Sequence, residues 1–374
     1  MLKLINYTPS IFNNDLNFKN LPGVTDWLSV YSFIDYSVAL NDRSNNIDLP
    51  VTTMVPDHLA MPEFKVTNLS YRECCHKKVK ELIALSEQTG KEICLMYSGG
   101  IDSSVVLSSF IELLGVDEAA KKINILMSQE SILENPVMWS QFIRPYFKIT
   151  NSKLYHRNGI DESKILVFGE LNDQLFGSDI LKNISVWAGS DILNTKFTVD
   201  MGIKYLTEYC KMNTRYATIW SELLIENLKS CPRHDSSVWD TFWWYNFALK
   251  WINVYYRYLM RCNITSEITQ RQIDTSYCAF FNTEDFQLWS MNNNEDKHQG
   301  TWDSYKYAGK KLVAEITNDS NFFNRTKKNS LQNVLMLSNP TNYVFENNVM
   351  IASVDDNLPL YNPNNYFIKY HGRQ

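Results

Sequence analysis

One stretch of the chain combines glycine, serine and aspartate in a spacing that can bind phosphate. It reads SGGIDSS at residues 98–104 and lies between the apolar runs EICLMY and VVLSSF. Two glycines let a backbone approach an anion closely, and the N–H groups that begin a helix bind phosphate. Asp102 lies in the same run, and a phosphate repels a carboxylate unless a cation lies between them, which predicts Mg²⁺. The alternative is a glycine turn with serine caps and no ligand. The residues predicted to bind the phosphates are Ser98, Gly99, Gly100, Asp102, Ser103 and Ser104.

A second stretch, ILVFGELNDQLFGSD at residues 165–179, also leaves an apolar run and enters a turn. It places Glu170 and Asp173 three residues apart. Two carboxylates at the end of one sheet suit a general base and a metal ligand that face the same nucleotide. The alternative is a loop in which the aspartate caps a helix.

The hydrophobic pattern predicts which strands and helices carry these residues. Buried apolar strands alternate with helical segments, which predicts an α/β fold with a parallel, doubly wound sheet. Ligands of such sheets lie outside the carboxyl ends of the strands, where both stretches fall. The strands are predicted at residues 92–97, 123–128 and 164–170. The helices are predicted at residues 70–90, with Ser70 as N-cap and Gly90 as stop, at 103–114 before Gly115, and at 136–147.

The pattern divides the chain into four regions. Residues 1–68 are predicted to form an irregular cap, 69–200 the nucleotide-binding domain, 201–335 a mainly helical substrate region, and 336–374 a hairpin or tail. The helical region contains an aromatic cluster at 238–260 that could stack on bases. Because its aromatic residues lie nearly all round a helix, we interpret the cluster as a buried core helix.

Composition excludes several classes of function. Hydrophobic residues make up 44% and charged residues 21% of the chain, which is typical of a globular protein. The net charge is -5, so nucleic acid is not an expected partner. No apolar run approaches the ~18 residues of a membrane span, and the N-terminus has no signal-peptide pattern. The seven cysteines form no C-x-x-C pair. These features predict a cytoplasmic protein with reduced thiols and no membrane partner, in the host cytoplasm if the protein is viral.

The first stretch resembles the S-G-G-x-D-S pyrophosphate loop of the ATP pyrophosphatase superfamily, whose fold is adenine nucleotide α-hydrolase-like. No Walker A sequence is present. The second stretch resembles the S-G-E-G-x-D-E-L-F-G-G motif of the asparagine synthetase family and differs from it at Leu171, Asn172 and Gln174. The residues shared with that motif are Gly169, Glu170, Asp173, Leu175, Phe176 and Gly177.

The resemblance implies roles for individual residues. Asp102 and Asp173 would hold Mg²⁺ on ATP, Glu170 would be the base that deprotonates the amine, and Lys327 would be the catalytic lysine. A solvated basic surface is the alternative for the basic residues near Lys327. Fold analogy places adenine near Leu95 and Met127. The basic residues expected to face the phosphates are Lys306, Lys310, Lys311, Arg325, Lys327 and Lys328.

Two departures from the family limit the substrate. The segment at residues 277–289 resembles V-P-F-L-D-x-x-L but has Ala279 and Asn282, and Thr275 and Tyr277 replace the Glu and Arg that precede it. Aspartate is therefore doubtful as the acid. The family's glutaminase begins with a cysteine after Met1, whereas residue 2 here is leucine.

The resemblance thus implies a stand-alone, ATP-dependent amide-forming ligase. It would adenylate a carboxylate, release pyrophosphate, and transfer the acyl group to an amine or to ammonia, which a separate protein could supply. The alternatives are amidation of another acid, such as a modified nucleoside or a peptide, and a degenerate ATP-binding interaction protein. The sequence leaves the oligomeric state open, with a homodimer as one possibility.

Overall fold

The computed structural model describes residues 41–47, 57–127, 129–151, 161–233, 237–255, 270–323, 343–346 and 349–353. Its centre is a five-stranded sheet in which every neighbouring pair of strands is parallel. The strand order is β3-β2-β1-β4-β5. The α/β fold and the parallel sheet predicted from the sequence are confirmed. The strands are β1 (Glu92–Tyr97), β2 (Ile123–Met127), β3 (Lys148–Asn151), β4 (Lys164–Phe168) and β5 (Tyr277–Ala279).

The order of the strands determines where a ligand can bind. From β1 the chain moves outward through β2 to β3, and it then returns to the other side of β1 to form β4. Tyr97 pairs with Met127 on one side of β1, and Leu95 pairs with Val167 on the other. The direction of winding therefore changes between β1 and β4, and parallel sheets bind ligands at the carboxyl ends next to such a change.

Helices connect and cover the strands, and the chain becomes mainly helical after β4. The first group is α1 (Tyr71–Thr89), α2 (Ile101–Leu114), α3 (Val116–Lys122), α4 (Gln129–Glu134) and α5 (residues 136–146, with a π-helical turn at Trp139–Ile143). The second group is α6 (Asn172–Phe176), α7 (Ile180–Ala188), α8 (Val199–Glu208), α9 (Thr214–Leu228) and α10 (Val238–Leu249). The third group is α11 (Gln270–Ser276), α12 (Glu284–Asn292), α13 (Tyr307–Thr317) and α14 (Ser320–Phe323). Residues 251–255 are also helical, and 3₁₀ turns lie at Asp57–Leu59, Ser190–Asn194 and Trp302–Ser304.

Local sequence signals account for the bounds of α1. The Ser70 side chain accepts a hydrogen bond from the backbone N–H of Glu73, and the Glu73 carboxylate accepts one from the backbone N–H of Ser70. This reciprocal pair is a capping box. Gly90 ends the helix with φ 68°, a left-handed conformation that glycine adopts without steric cost. The predicted cap and stop of this helix are confirmed.

The part of the aromatic cluster that the structure describes, residues 238–255, forms core, as predicted. Every residue of α10 is buried. Its indole N–H groups find acceptors inside the protein: Trp243 donates to Ser290 Oγ at 2.9 Å and Trp244 to the Asn227 carbonyl at 2.9 Å. Since buried tryptophan needs such partners, these bonds let α10 bury all of its faces.

Within the region predicted to be a hairpin or tail, the strands β6 (Tyr343–Glu346) and β7 (Val349–Ser353) pair in antiparallel orientation. No helix among the described residues has the length and apolar character needed to cross a membrane. Most of the predicted N-terminal cap, residues 1–40 and 48–56, lies outside the described residues.

Candidate functional site

The glycine turn between β1 and α2 has a shape that only glycine allows. Gly99 has φ 76°, and a Cβ atom there would lie 2.3 Å from the Ser131 carbonyl oxygen and 2.7 Å from Glu134 Cβ. Helix α4 therefore packs directly against the turn. The α2 N-cap, Gly100, has no side chain to bond the first N–H groups of that helix. The turn thus has the features of an anion-binding helix start.

The three serines of the turn differ in exposure. Ser98 is exposed, and its Oγ lies 3.1 Å from Ser103 Oγ. Ser103 and Ser104 are buried. Ser103 Oγ accepts the Ser98 N–H at 3.2 Å, and Ser104 Oγ accepts from Asn135 Nδ2 at 3.1 Å. Ser103 and Ser104 therefore shape the turn, whereas the Ser98 hydroxyl can reach a ligand.

The two sequence motifs meet. A Cβ atom on Gly169 would lie 3.1 Å from both the Asp102 carbonyl carbon and the Ser103 nitrogen. The end of β4 therefore presses against the first turn of α2, which follows β1. A larger residue at position 169 would push the two motifs apart.

The carboxylates predicted to bind metal converge on one cation, and that cation is a lysine. Lys306 Nζ pairs with Asp102 Oδ1, and it lies 2.8 Å from Asp173 Oδ1. The Lys306 side chain is only 1% exposed, whereas the Asp102 and Asp173 side chains are 27% and 29% exposed. Lys306 thus approaches from inside the protein, and the two carboxylates keep an open side toward solvent.

Polar side chains orient both carboxylates. Asn172 Nδ2 donates to Asp102 Oδ1 at 2.7 Å, and Tyr71 donates its hydroxyl to Asn172 Oδ1 at 2.8 Å. Tyr305 donates to Asp173 Oδ1 at 2.8 Å. Burial, with the nearby Asp173 charge second, raises the pKa of Tyr305 well above its usual value. Burial also raises the pKa of Tyr71. Both phenols therefore stay protonated and act as donors.

The arrangement fits Mg²⁺ bound together with phosphate. No group of three or more histidine, cysteine, aspartate or glutamate side chains with metal-binding geometry occurs among the described residues. Mg²⁺ commonly takes only one or two carboxylates and completes its shell with phosphate oxygens and water. Asp102 and Asp173 already direct one oxygen each at a shared cation position. They are the residues that would hold the metal.

The departures from the asparagine synthetase motif preserve the shape of the loop. Leu171 stands where that motif has glycine, and it adopts φ 76° although its side chain is buried. Gln174 is buried and donates to Asn246 Oδ1 at 3.1 Å. Asn172 bonds Asp102 and Tyr71. The loop therefore holds Asp173 toward Lys306 although its sequence differs from the motif.

The remaining predicted residues are placed as follows. Glu170 follows β4 by two residues and is partly buried. Leu95 and Met127 are completely buried, so the position of adenine stays a prediction. Lys310 donates to the Asp303 carbonyl, and Lys311 is exposed. Arg325, Lys327 and Lys328 lie outside the described residues.

Thr275, one of the two positions where the asparagine synthetase family carries Glu and Arg, lies away from Asp102 and Asp173. Thr275 Oγ1 accepts a hydrogen bond from Lys91 Nζ at 2.9 Å, and Lys91 immediately precedes β1. Position 275 is thus at the amino edge of the sheet, opposite the carboxylates. Asn282 donates to the His58 carbonyl and accepts from Trp251, which is a structural role.

Three residues of the site were not singled out by sequence reasoning: Tyr71, Asn172 as an orienting group, and Tyr305. Tyr71 and Tyr305 lie outside both motifs, and no local pattern marks either one as a hydrogen-bond donor to the loop that carries Asp173. Asn172 lies inside the second motif, where only a hydrogen-bond argument could have identified it. Comparison with known proteins finds no match to this chain among family models, curated proteins or solved structures.

Proposed function

We propose that this chain is an ATP-dependent, AMP-forming ligase that adenylates a carboxylic acid and transfers the acyl group to an amine or ammonia. One observation carries the proposal. Asp102 and Asp173, from two motifs on neighbouring strands, point an oxygen each at one cation position beside a glycine turn. That combination suits Mg²⁺ on a polyphosphate.

The strand order supports this reading. The motifs follow β1 and β4, between which the direction of winding changes. Nucleotides bind at this position in doubly wound folds. By analogy of fold and motif, we therefore interpret the sheet as the doubly wound arrangement of the ATP pyrophosphatases.

The chemistry assigned to the chain's own residues begins with the phosphates. Mg²⁺, when bound, would supply positive charge for the polyphosphate oxygens. The Ser98 hydroxyl and the first N–H groups of α2 would hold the departing pyrophosphate, and Lys306 would neutralise its growing charge. Asn172 and Tyr305 would keep the two aspartates in the orientation that the metal requires.

The second half-reaction needs a base. Glu170 lies in the loop that carries Asp173 and follows β4 by two residues. It would accept a proton from the attacking amine, so that the neutral amine adds to the acyl carbon and AMP departs. From the family resemblance alone, Lys327 would stabilise the negative charge of the transition state.

One observation favours an acid other than aspartate. The positions where the asparagine synthetase family carries Glu and Arg are Thr275 and Tyr277, and position 275 lies at the amino edge of the sheet. Neither residue offers a charge that would select aspartate. We therefore infer amidation of a different carboxylic acid.

The test begins with the intact chain, Mg-ATP, and pools of carboxylic acids and amines, with AMP and pyrophosphate as readouts. AMP formation that requires an acid supports the proposal, and ADP formation or no turnover with any pool contradicts it. Glu170→Gln then separates the steps. We expect exchange of pyrophosphate into ATP to survive, while amide formation slows by ~10²–10⁴-fold, as is typical for loss of a general base.

A further inference from the structure

Lys306 occupies the position that a metal between the two carboxylates would need. Its ammonium contacts Asp102 Oδ1 and Asp173 Oδ1, and these are the same oxygens that converge on the proposed Mg²⁺. An ammonium and a divalent cation cannot share both oxygens, because like charges at that separation repel strongly. Metal binding therefore requires Lys306 to find another partner.

The backbone prevents Lys306 from moving far. The residue adopts a left-handed conformation, with φ 62° and ψ 40°. The neighbouring N–H groups are fixed: Tyr305 donates to the Trp302 carbonyl at 2.9 Å, Tyr307 to the Lys297 carbonyl at 3.1 Å, and Ala308 to the Asp296 carbonyl at 2.9 Å. Only rotation of the side chain can move the ammonium, so it stays within a few ångströms of the site.

A displaced Lys306 ammonium would be costly unless an anion comes with the metal. The side chain is 1% exposed, and a buried charge without a partner is strongly destabilising. Free Mg²⁺ brings no anion, whereas Mg²⁺ on a polyphosphate brings oxygens that can accept the ammonium. Mg²⁺ also gives up its water reluctantly, which weakens its competition with the lysine.

We propose that Lys306 is an exchangeable counter-ion that makes the site specific for Mg²⁺ and polyphosphate bound together, and that excludes the free metal. This inference rests on the proposed function, because it assumes that Asp102 and Asp173 are metal ligands. According to this proposal, Lys306 neutralises the two aspartates until the metal and the polyphosphate bind together. It then passes to the phosphate oxygens.

The test is one substitution that should move two affinities in opposite directions. In Lys306→Met, calorimetric affinity for Mg²⁺ alone should rise by about tenfold or more, since the competing ammonium is gone. Affinity for Mg-ATP should fall by a similar factor, since the phosphates lose a cation. Lys204→Met removes an exposed lysine from α8, which contributes no residue to the site, and should change neither affinity.

The unmodified protein provides a second measurement that does not depend on the folding of a variant. MgCl₂ alone should leave its thermal midpoint unchanged, while MgCl₂ with ATP should raise it. Tight binding of free Mg²⁺ by the unmodified protein would overturn the inference, as would unchanged Mg²⁺ affinity in Lys306→Met. If no form of the protein binds Mg-ATP, the proposed function fails as well, which distinguishes the two failures.

Discussion

Two buried lysines of one segment, Lys297 and Lys306, lie in opposite environments. Lys306 is paired with two carboxylates. Lys297 is completely buried, and its Nζ has no hydrogen-bond acceptor among the described residues. It lies instead 3.3 Å from the centroid of the Trp243 ring. One region thus surrounds a buried lysine with charge, and the other places it against an aromatic face.

The groups around Lys297 explain its state. Burial lowers its pKa well below the usual value, the nearby Arg233 lowers it further, and Asp240 only partly opposes the shift. Asp240 is itself engaged by Ser237 and Asn294. Lys297 therefore favours the neutral amine, whereas Lys306 has two anions to hold. Of the two buried lysines, the one paired with carboxylates is therefore Lys306, which lies at the proposed polyphosphate site.

The largest expected effect concerns aspartates in the two regions. Asp102→Asn and Asp173→Asn should each reduce pyrophosphate release by ~10³-fold or more, because each removes a proposed metal ligand. Asp240→Asn makes the same change beside Lys297 and should leave turnover intact. Steady-state assays of pyrophosphate, with circular dichroism to check folding, measure both. Near-normal turnover in either site variant would contradict the two-carboxylate site.

The next effect compares the lysines by stability. Lys297→Met should raise the free energy of unfolding by ~1–3 kcal/mol, because a buried amine without a hydrogen-bond acceptor is replaced by an apolar chain of similar length. Lys306→Met should lower the free energy of unfolding without Mg²⁺, because it removes the positive charge that lies between two aspartates. Urea unfolding with chelator provides both values. A destabilised Lys297→Met would show that the Trp243 contact is worth more than the burial costs.

Local signals made much of the fold predictable. The capping box at Ser70, the glycine stop at Gly90, and the apolar run of β1 each act within a few residues. The parallel alternation then implied that the ends of β1 and β4 face one site. Strands β3 and β5 are short and lie at the sheet edges, so their sequences carry little periodicity.

The contacts that complete the site could not be predicted in this way. Lys306 contacts Asp102 although about 200 positions of the chain separate them. The lysine itself adopts a left-handed conformation, and no glycine in the sequence signals that turn. Leu171 similarly adopts a left-handed backbone conformation that is typical of glycine, so its apolar side chain gives no sign of the turn. Sequence patterns identify the carboxylates and place Lys306 among six candidate basic residues, whereas only tertiary packing shows that Lys306 is the cation that joins the two aspartates.

A smaller effect depends on pH and on the neighbour of Lys297. His298 stacks on Trp239 with ring centroids 3.6 Å apart, and burial, with smaller contributions from the neighbouring Lys297 and Arg233, lowers its pKa to about 3. Below its ordinary value of 6.5 the unfolded chain binds a proton that the folded chain refuses, so stability falls as the pH falls. The loss should reach ~2 kcal/mol between pH 7 and pH 5.

His298→Phe keeps an aromatic ring on Trp239 and removes the titrating group. We expect the difference in unfolding free energy between variant and parent to shift in favour of the variant as the pH is lowered from 7 to 5. Denaturant unfolding at several pH values measures it. A difference that does not change with pH would show that folding leaves the pKa of His298 unchanged.

The smallest effect compares the two tyrosines that orient the carboxylates. Tyr305→Phe keeps the ring stacked on Trp302, with centroids 4.6 Å apart, and removes the hydroxyl that donates to Asp173 Oδ1 at 2.8 Å and also lies 3.4 Å from the Asp173 carbonyl oxygen. Asp173 retains Lys306 and contact with water. The free energy of unfolding of the variant should change by less than ~1 kcal/mol, and its Mg-ATP affinity should fall by only ~3–10-fold. Tyr71→Phe should cost more stability, ~1–3 kcal/mol, because Asn172 is completely buried and its Oδ1 would lose the donor. If Tyr305→Phe were instead the more damaging variant in chemical denaturation, Asp173 would depend on the phenol more than on Lys306, and the assignment of Lys306 as the main counter-ion would be wrong.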